Sequence, residues 1–210
     1  MEPLISLTSV VVPLLRDNVD TDAIIPAEWL RSLASDPGEG LFARWRYRAD
    51  GSADPEFVLN DSRFRDARIL LTGANFGCGS SRENAVWALQ RFGIRCVIAR
   101  SYSDIFQENC FKNGVLPIIA SPGDHALLVR CCAAEASYVV SVDVAAATVT
   151  TRDGAVFTFE LDLRRRNRLM SGSDEIDATL VLADRIDAFR ARHRLAKPWL
   201  YPANGDRSDG

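Results

Sequence analysis

The run Asn75-Phe76-Gly77-Cys78-Gly79-Ser80-Ser81-Arg82-Glu83-Asn84 places two hydroxyls, a guanidinium and two glycines in close succession. A strand-like stretch, Arg68-Ile69-Leu70-Leu71, precedes it and a helical pattern from about Arg82 to Phe92 follows. At such a strand-to-helix junction, unpaired backbone N–H groups and the positive end of a helix dipole converge, which suits an anion. Gly77 and Gly79 allow positive φ or close approach of a ligand. Ser80 and Ser81 either cap the helix or face outward. Arg82 carries a permanently charged planar fork that fits a carboxylate or a phosphate. No Gly-Lys-Ser/Thr follows and the spacing is not Gly-x-Gly-x-x-Gly, so a carboxylate is favoured over a nucleotide phosphate. The plainer reading fits the local chemistry about equally well: serines that cap, glycines that turn, and a solvated Arg82.

Other chemistry is scarce. His125 and His193 are the only histidines, too few for a histidine metal triad and a short supply for a Ser-His-Asp relay. The five cysteines, Cys78, Cys96, Cys110, Cys131 and Cys132, form no Cys-x-x-Cys pair. They read as reduced thiols rather than as a disulfide framework or a metal site. A net charge of -3 with interspersed signs supplies no basic stripe for nucleic acid. There is no secretory leader pattern and no apolar run of membrane-spanning length, so a cytoplasmic protein without membrane association is expected.

The elements around the loop read as α/β. Residues 4 to 15 form an opening strand, Asn18-Val19-Asp20-Thr21-Asp22 a turn, and Ala27 to Leu33 a short helix. Gly/Pro/Ser/Asp-rich stretches at 35–40 and 50–55 bracket an aromatic segment, predicting a surface excursion over 34–56 that serves as a mobile lid or specificity loop. Strand Cys96–Ala99, a helix from Tyr102 to Asn113 and strand Val115–Ile119 continue parallel βαβ units. Tyr138–Asp143, Ala147–Thr151 and Val156–Phe159 alternate, and Asp153-Gly154 predicts a hairpin and an antiparallel layer. The pattern from Asp174 through Arg194 is helical, with Leu180, Ala183, Ile186 and Phe189 on one face. Residues 1–201 are expected to form a single domain with a disordered tail at 202–210.

The loop, together with Asp104-Ile105-Phe106, Asn109 and Lys112-Asn113-Gly114-Val115-Leu116-Pro117, resembles the small subunit of 3-isopropylmalate dehydratase, the swivelling domain of the aconitase superfamily. The resemblance extends over Asn18-Val19-Asp20-Thr21-Asp22-Ala23-Ile24-Ile25-Pro26, Phe57-Val58-Leu59-Asn60 and Asp174-Glu175-Ile176, nearly the whole chain. It implies a swivelling β/β/α domain with a parallel βαβ portion and an additional antiparallel layer. It also implies a role in interconverting 2- and 3-isopropylmalate through 2-isopropylmaleate in leucine biosynthesis. Ser80 then acts as an alkoxide-like base and acid on the substrate carbon, with Gly79 beside it, Ser81 in support and Arg82 on a substrate carboxylate. A [4Fe-4S] cluster, whose open iron takes the departing hydroxyl, and the acid/base histidines are implied on a large partner subunit. This chain itself binds no cofactor or metal in that scheme.

Glu28-Trp29-Leu30-Arg31-Ser32 resembles the family loop facing the variable group of the substrate, which makes Leu30 the candidate specificity residue. Ordinary helix packing accounts for Leu30 and Trp29 equally well. Arg16 is either a second carboxylate ligand or, more simply, a solvated arginine. The family commonly continues Arg-Glu-His-Ala-Pro-Trp-Ala-Leu, whereas this chain has Asn84 and Val86 at the His and Pro positions. Asn cannot carry a proton near neutral pH. Other hydroxy-dicarboxylates therefore stay open as substrates (2-methylmalate, homoaconitate and dimethylmalate), as does a non-catalytic carboxylate-binding module.

Overall fold

The computed structural model describes residues 1–30, 36–80, 82–173, 180 and 182–201. Ser81, the end of the helix expected over 27–33, the first two residues of the 34–56 excursion, Asp174-Glu175-Ile176 and the 202–210 tail lie outside the described residues. The chain forms two compact units, Met1–Gly172 and Ser173–Gly210.

The first unit is built on one seven-stranded sheet in the order β4-β3-β2-β1-β5-β6-β7. Its strands are β1 (Ser6–Leu14), β2 (Ile69–Thr72), β3 (Cys96–Ala99), β4 (Leu116–Ile119), β5 (Val139–Asp143), β6 (Thr148–Thr151) and β7 (Val156–Thr158). β1 to β4 run parallel, while β5, β6 and β7 join antiparallel across the other edge of β1. The parallel and antiparallel portions read from sequence are both present, and they share β1. The Asp153-Gly154 hairpin forms, with Gly154 at φ 84°.

Burial explains the division. Every residue of β2 and β3 is buried, as unbroken apolar runs covered on both faces require. β5 and β6 alternate between buried and partly exposed positions, the pattern of a sheet with one wet face. β1 changes from one regime to the other along its length: Ser6 to Ser9 alternate, and Val11 and Val12 are both buried. Pro13 sits in this central strand without leaving a gap in the ladder. The Val11 N–H points to Tyr138 of the β5 side, so position 13 faces the same way, beyond the end of the β1–β5 pairing at Val10–Val139. No ladder bond is lost there.

Helices cover the two faces. On one, α3 (Glu83–Phe92) and α4 (Asp104–Lys112) pack with Val12, Leu70 and Val97. The short helices α1 (Thr21–Ile24) and α2 (Ala43–Arg46) lie on this side, and α1 packs against both α2 and α3. On the other, α5 (Pro122–Ala134) and α6 (Leu163–Ser171) contribute Leu128 and Leu169 to a core with Ile69, Leu71, Ile98 and Val149. The sequence pattern predicts neither α5 nor α6. α5 is apolar from Ala126 to Ala134 apart from Arg130, and it carries Cys131 and Cys132. Most of α6 is arginine-rich surface.

The excursion is less superficial than its composition suggests. Leu41 and Phe42 are fully buried, and Arg46 fastens the segment by donating to the carbonyls of Gly38 and Leu41 and to Asn60 Oδ1. Asn60 returns bonds to the carbonyls of Arg46 and Asp54 at 2.7 and 2.8 Å. A polar segment with two large apolar residues at its centre inserts those residues and leaves 48–53 outside.

In the second unit, α7 (Ala183–Ala196) precedes a 3-10 turn, Pro198–Leu200. His193 Nδ1 lies 2.9 Å from the Tyr201 hydroxyl. No residue of α7 is buried. The single helix read from Asp174 through Arg194 is interrupted at Leu182, a turn residue and the N-cap of α7, so of the four apolar residues Ala183, Ile186 and Phe189 lie on α7 while Leu180 precedes it.

Candidate functional site

Sheet order places the site. With β1, β2 and β3 adjacent and parallel, the loops leaving their C-terminal ends lie side by side, and the loop after β2 is the middle one. It is stitched to the loop after β1 by Gly73 N–H to Arg16 O, Asn18 N–H to Ala74 O, Gly77 N–H to Val19 O and Thr21 N–H to Cys78 O, at 2.8–3.0 Å. On the other flank, Phe76 N–H donates to Ser101 O and Ser103 N–H to Phe76 O. Parallel bridges Asp20–Cys78 and Phe76–Tyr102 extend the sheet pattern into the loops. Side chains close the remaining gaps: Asp17 Oδ1 accepts from Ala74 N–H at 2.6 Å and Ser101 Oγ from Asn75 N–H at 2.8 Å. Asn18 and Asn75, both left-handed at φ 55° and 56°, meet amide to amide at 2.9 Å. Asparagine tolerates that conformation better than most residues.

Gly77 is obligatory on two counts. Its φ is +71°, and a Cβ there would sit 2.1 Å from the Phe106 ring. Phe106 in turn packs edge-on against Phe76, so an aromatic plug under the loop defines its floor. Gly79, at φ +88°, has open space beyond Asp20; here the need is conformational.

Beyond Gly79 the chain rises to the surface. Ser80 is exposed; its carbonyl accepts from Thr21 Oγ1 at 2.9 Å, and none of the described residues pairs with its hydroxyl. The helix-capping role open for Ser80 is not taken up. The N-cap of α3 is Arg82, whose side chain does not cap it; Ala85 N–H turns back to the Arg82 carbonyl at 3.1 Å, and the Glu83 and Asn84 N–H groups, without a partner among the described residues, are available to an incoming anion. Arg82 Nη1 is bonded to Asp22 Oδ1. That single contact orients the guanidinium and leaves its other N–H groups for a second carboxylate. Sequence reasoning makes Asp22 only part of a turn and misses this role. The available signal is the density of Asx residues in 17–22 and in the glycine loop, both needing partners.

A second charge pair lies nearby. Arg44 of α2 donates to Glu28 at 3.0 and 3.2 Å. This contact, with smaller effects from Asp22 and Asp20, raises the guanidinium pKa above its usual value. Glu28, Trp29, Arg44, Tyr47 and Arg48 line an open cavity of about 560 Å³. Trp29 is on that wall, while Leu30 is half-buried against the core, as ordinary packing would have it. Arg16 is exposed, as a surface arginine would be, and lies over Trp45, 4.3 Å from the ring centroid.

Among the described residues, no three His, Cys, Asp or Glu side chains gather as a metal would need. Burial pushes the Cys96 and Cys110 thiols up, away from the thiolate a cluster requires. His125 is buried with Nε2 2.7 Å from the Thr72 carbonyl, at the base of the loop. The residues present do not fit an iron–sulfur cluster. No helix among the described residues is long and apolar enough to cross a membrane.

Residues 1–123 match the family model of the aconitase C-terminal domain, and residues 175–203 match that of the C-terminal domain of the 3-isopropylmalate dehydratase small subunit. A 3-isopropylmalate dehydratase small subunit of Cereibacter sphaeroides is 48% identical over 201 residues, covering 95% of this chain and 100% of the relative. One of Agrobacterium fabrum is 44% identical over 200 residues, with 95% and 100% covered. The crystal structure of a 3-isopropylmalate dehydratase from Methanocaldococcus jannaschii superposes with a TM-score of 0.60 at 25% identity, over 88% of this chain and 99% of that one.

Proposed function

The chain belongs to the family of 3-isopropylmalate dehydratase small subunits, and from that premise we propose that it supplies the proton-transfer and carboxylate-binding half of a hydro-lyase site. The substrate in this reading is isopropylmalate, the 2- and 3-isomers being interconverted through 2-isopropylmaleate for leucine biosynthesis in the cytoplasm. The chain is active only with a large subunit, and residues 1–201 work as one swivelling domain whose 34–56 excursion faces the substrate.

The observation that carries the proposal is the exposed Ser80, its hydroxyl without a partner among the described residues, beside Arg82 in a loop clamped on both flanks. Arg82 takes one substrate carboxylate on the N–H groups Asp22 leaves free. Ser80 Oγ, held as the alkoxide, takes the proton from the adjacent carbon to become the neutral hydroxyl, and gives that proton back in the reverse sense. A hydroxyl is a weak base in water, and the N–H groups of Glu83 and Asn84 at the start of α3 stabilise the alkoxide form that takes the proton. Gly79 keeps side chains away from that oxygen, and Ser81 supports Ser80. Leu30 contacts the isopropyl group. No residue set among the described residues accepts a [4Fe-4S] cluster, which in this reading belongs to the large subunit, so no step of this chain is routed through it.

The test is co-expression with a large subunit, followed by absorbance of the unsaturated intermediate. Turnover is expected from the complex and none from the isolated chain. Robust turnover by the isolated chain would overturn the proposal. Asn84 and Val86 favour keeping a second substrate in view. Rates on isopropylmalate and 2-methylmalate, for the natural chain and for Asn84→His, distinguish a changed preference from a neutral replacement.

A further inference from the structure

Arg82 stands at the N-cap of α3 without capping it through its own side chain, yet the first turn of the helix is held from outside. Glu83 and Trp87 are four residues apart and so share one face of α3. Both reach the same side chain on the neighbouring helix. Asn113, the C-cap of α4, donates from Nδ2 to Glu83 Oε1 at 2.8 Å and to the Asn109 carbonyl at 2.9 Å. Its Oδ1 accepts from Trp87 Nε1 at 3.0 Å.

This arrangement has only one workable orientation. A carboxylate only accepts and an indole N–H only donates, so the amide cannot be flipped without setting like against like. Both amide hydrogens and the oxygen are engaged. A simple helix C-cap would need only the Asn109 contact, which the Asn113 backbone N–H already makes to Asn109 and Cys110. The bonds to Glu83 and Trp87 tie α4 to the turn next to Arg82 and do nothing for α4 itself. Trp87 keeps 40% of its surface exposed, so apolar burial alone does not fix that face.

We propose that Asn113 is a positioning residue: with Glu83 and Trp87 it clamps the first turn of α3, and so sets where Arg82 and Ser80 stand. Amide hydrogen exchange of residues 86–88, the first amides bonded inside α3, tests this directly in the full chain. Asn113→Asp sets a carboxylate against Glu83, and exchange there should accelerate about tenfold, the scale of losing a bond to a charged group, while β2 and β3 keep their protection. Adding Glu83→Gln to that variant restores a donor facing an acceptor, and exchange should slow again. Unchanged exchange in Asn113→Asp, equal loss of protection across β2 and β3, or no recovery in the double variant would each overturn the clamp.

A second readout rests on the proposed function: in the complex, kcat/KM on isopropylmalate should fall about tenfold in Asn113→Asp and recover in the double variant. A complex of natural sequence without turnover would retire that function, while the exchange experiment still decides the clamp.

Discussion

The two sides of β1 make opposite use of the same strand chemistry. Toward β2, β3 and β4 the sheet is parallel, dry on both faces, and ends in three loops that hold one another through backbone hydrogen bonds. Toward β5, β6 and β7 it is antiparallel, with one wet face and connections as tight as the Asp153-Gly154 hairpin. Parallel strands cannot be joined by hairpins, so each needs a crossover and a loop at its C-terminal end. The side that requires long connections therefore has somewhere to build a site, whereas the antiparallel side adds buried area and stiffness to β1.

If that contrast is right, substitutions should separate sharply. The largest effect is expected from Ser80→Ala in the assembled enzyme. Loss of roughly 10²–10⁴-fold in kcat, with an unchanged unfolding midpoint, would place the chemistry on the parallel side. Near-full activity would remove Ser80 from it.

Gly77→Ala comes next. The added methyl would overlap the Phe106 ring at a positive φ, and a cost of about 2–4 kcal/mol is expected from overpacking and backbone strain together. Denaturant unfolding of the isolated chain measures it, and a cost below about 0.5 kcal/mol would show that the aromatic floor yields.

Arg82→Lys keeps the charge but loses the fork. KM should rise about tenfold or more with a smaller change in kcat, since a bidentate pair becomes a point contact. Asp22→Asn, which weakens only the orienting contact, should move KM in the same direction by less.

The smallest effect belongs to the wet face. Thr150→Val on β6, partly exposed there, should change stability by under about 0.5 kcal/mol and leave kinetics untouched. A measurable kinetic effect would mean that the antiparallel side is not a passive support.

Much of the fold is readable along the chain. Apolar runs, the Asp-Gly hairpin and the glycine loop between strand and helix are local patterns, and local patterns follow from backbone geometry at one or two residues' range. The loop's composition favours a carboxylate over a nucleotide phosphate at Gly77–Arg82 but fits plain capping and turning equally well, and it is the motif resemblance that leads to the family. α5 escapes because its apolar run from Ala126 to Ala134, broken only by Arg130, carries little periodicity. The burial of Leu41 and Phe42 escapes because polar neighbours hide them.

What only the folded chain decides is which distant groups meet. Asp22 reaches Arg82 across sixty positions, Phe106 closes the floor under Gly77, and Asn113 ties Glu83 to Trp87. None of these pairings has a period or a spacing, because each depends on β1, β2 and β3 lying side by side. The residues proposed for the chemistry are therefore written in one short segment, while their orientation is set by side chains from two others, α1 and α4 with its C-cap.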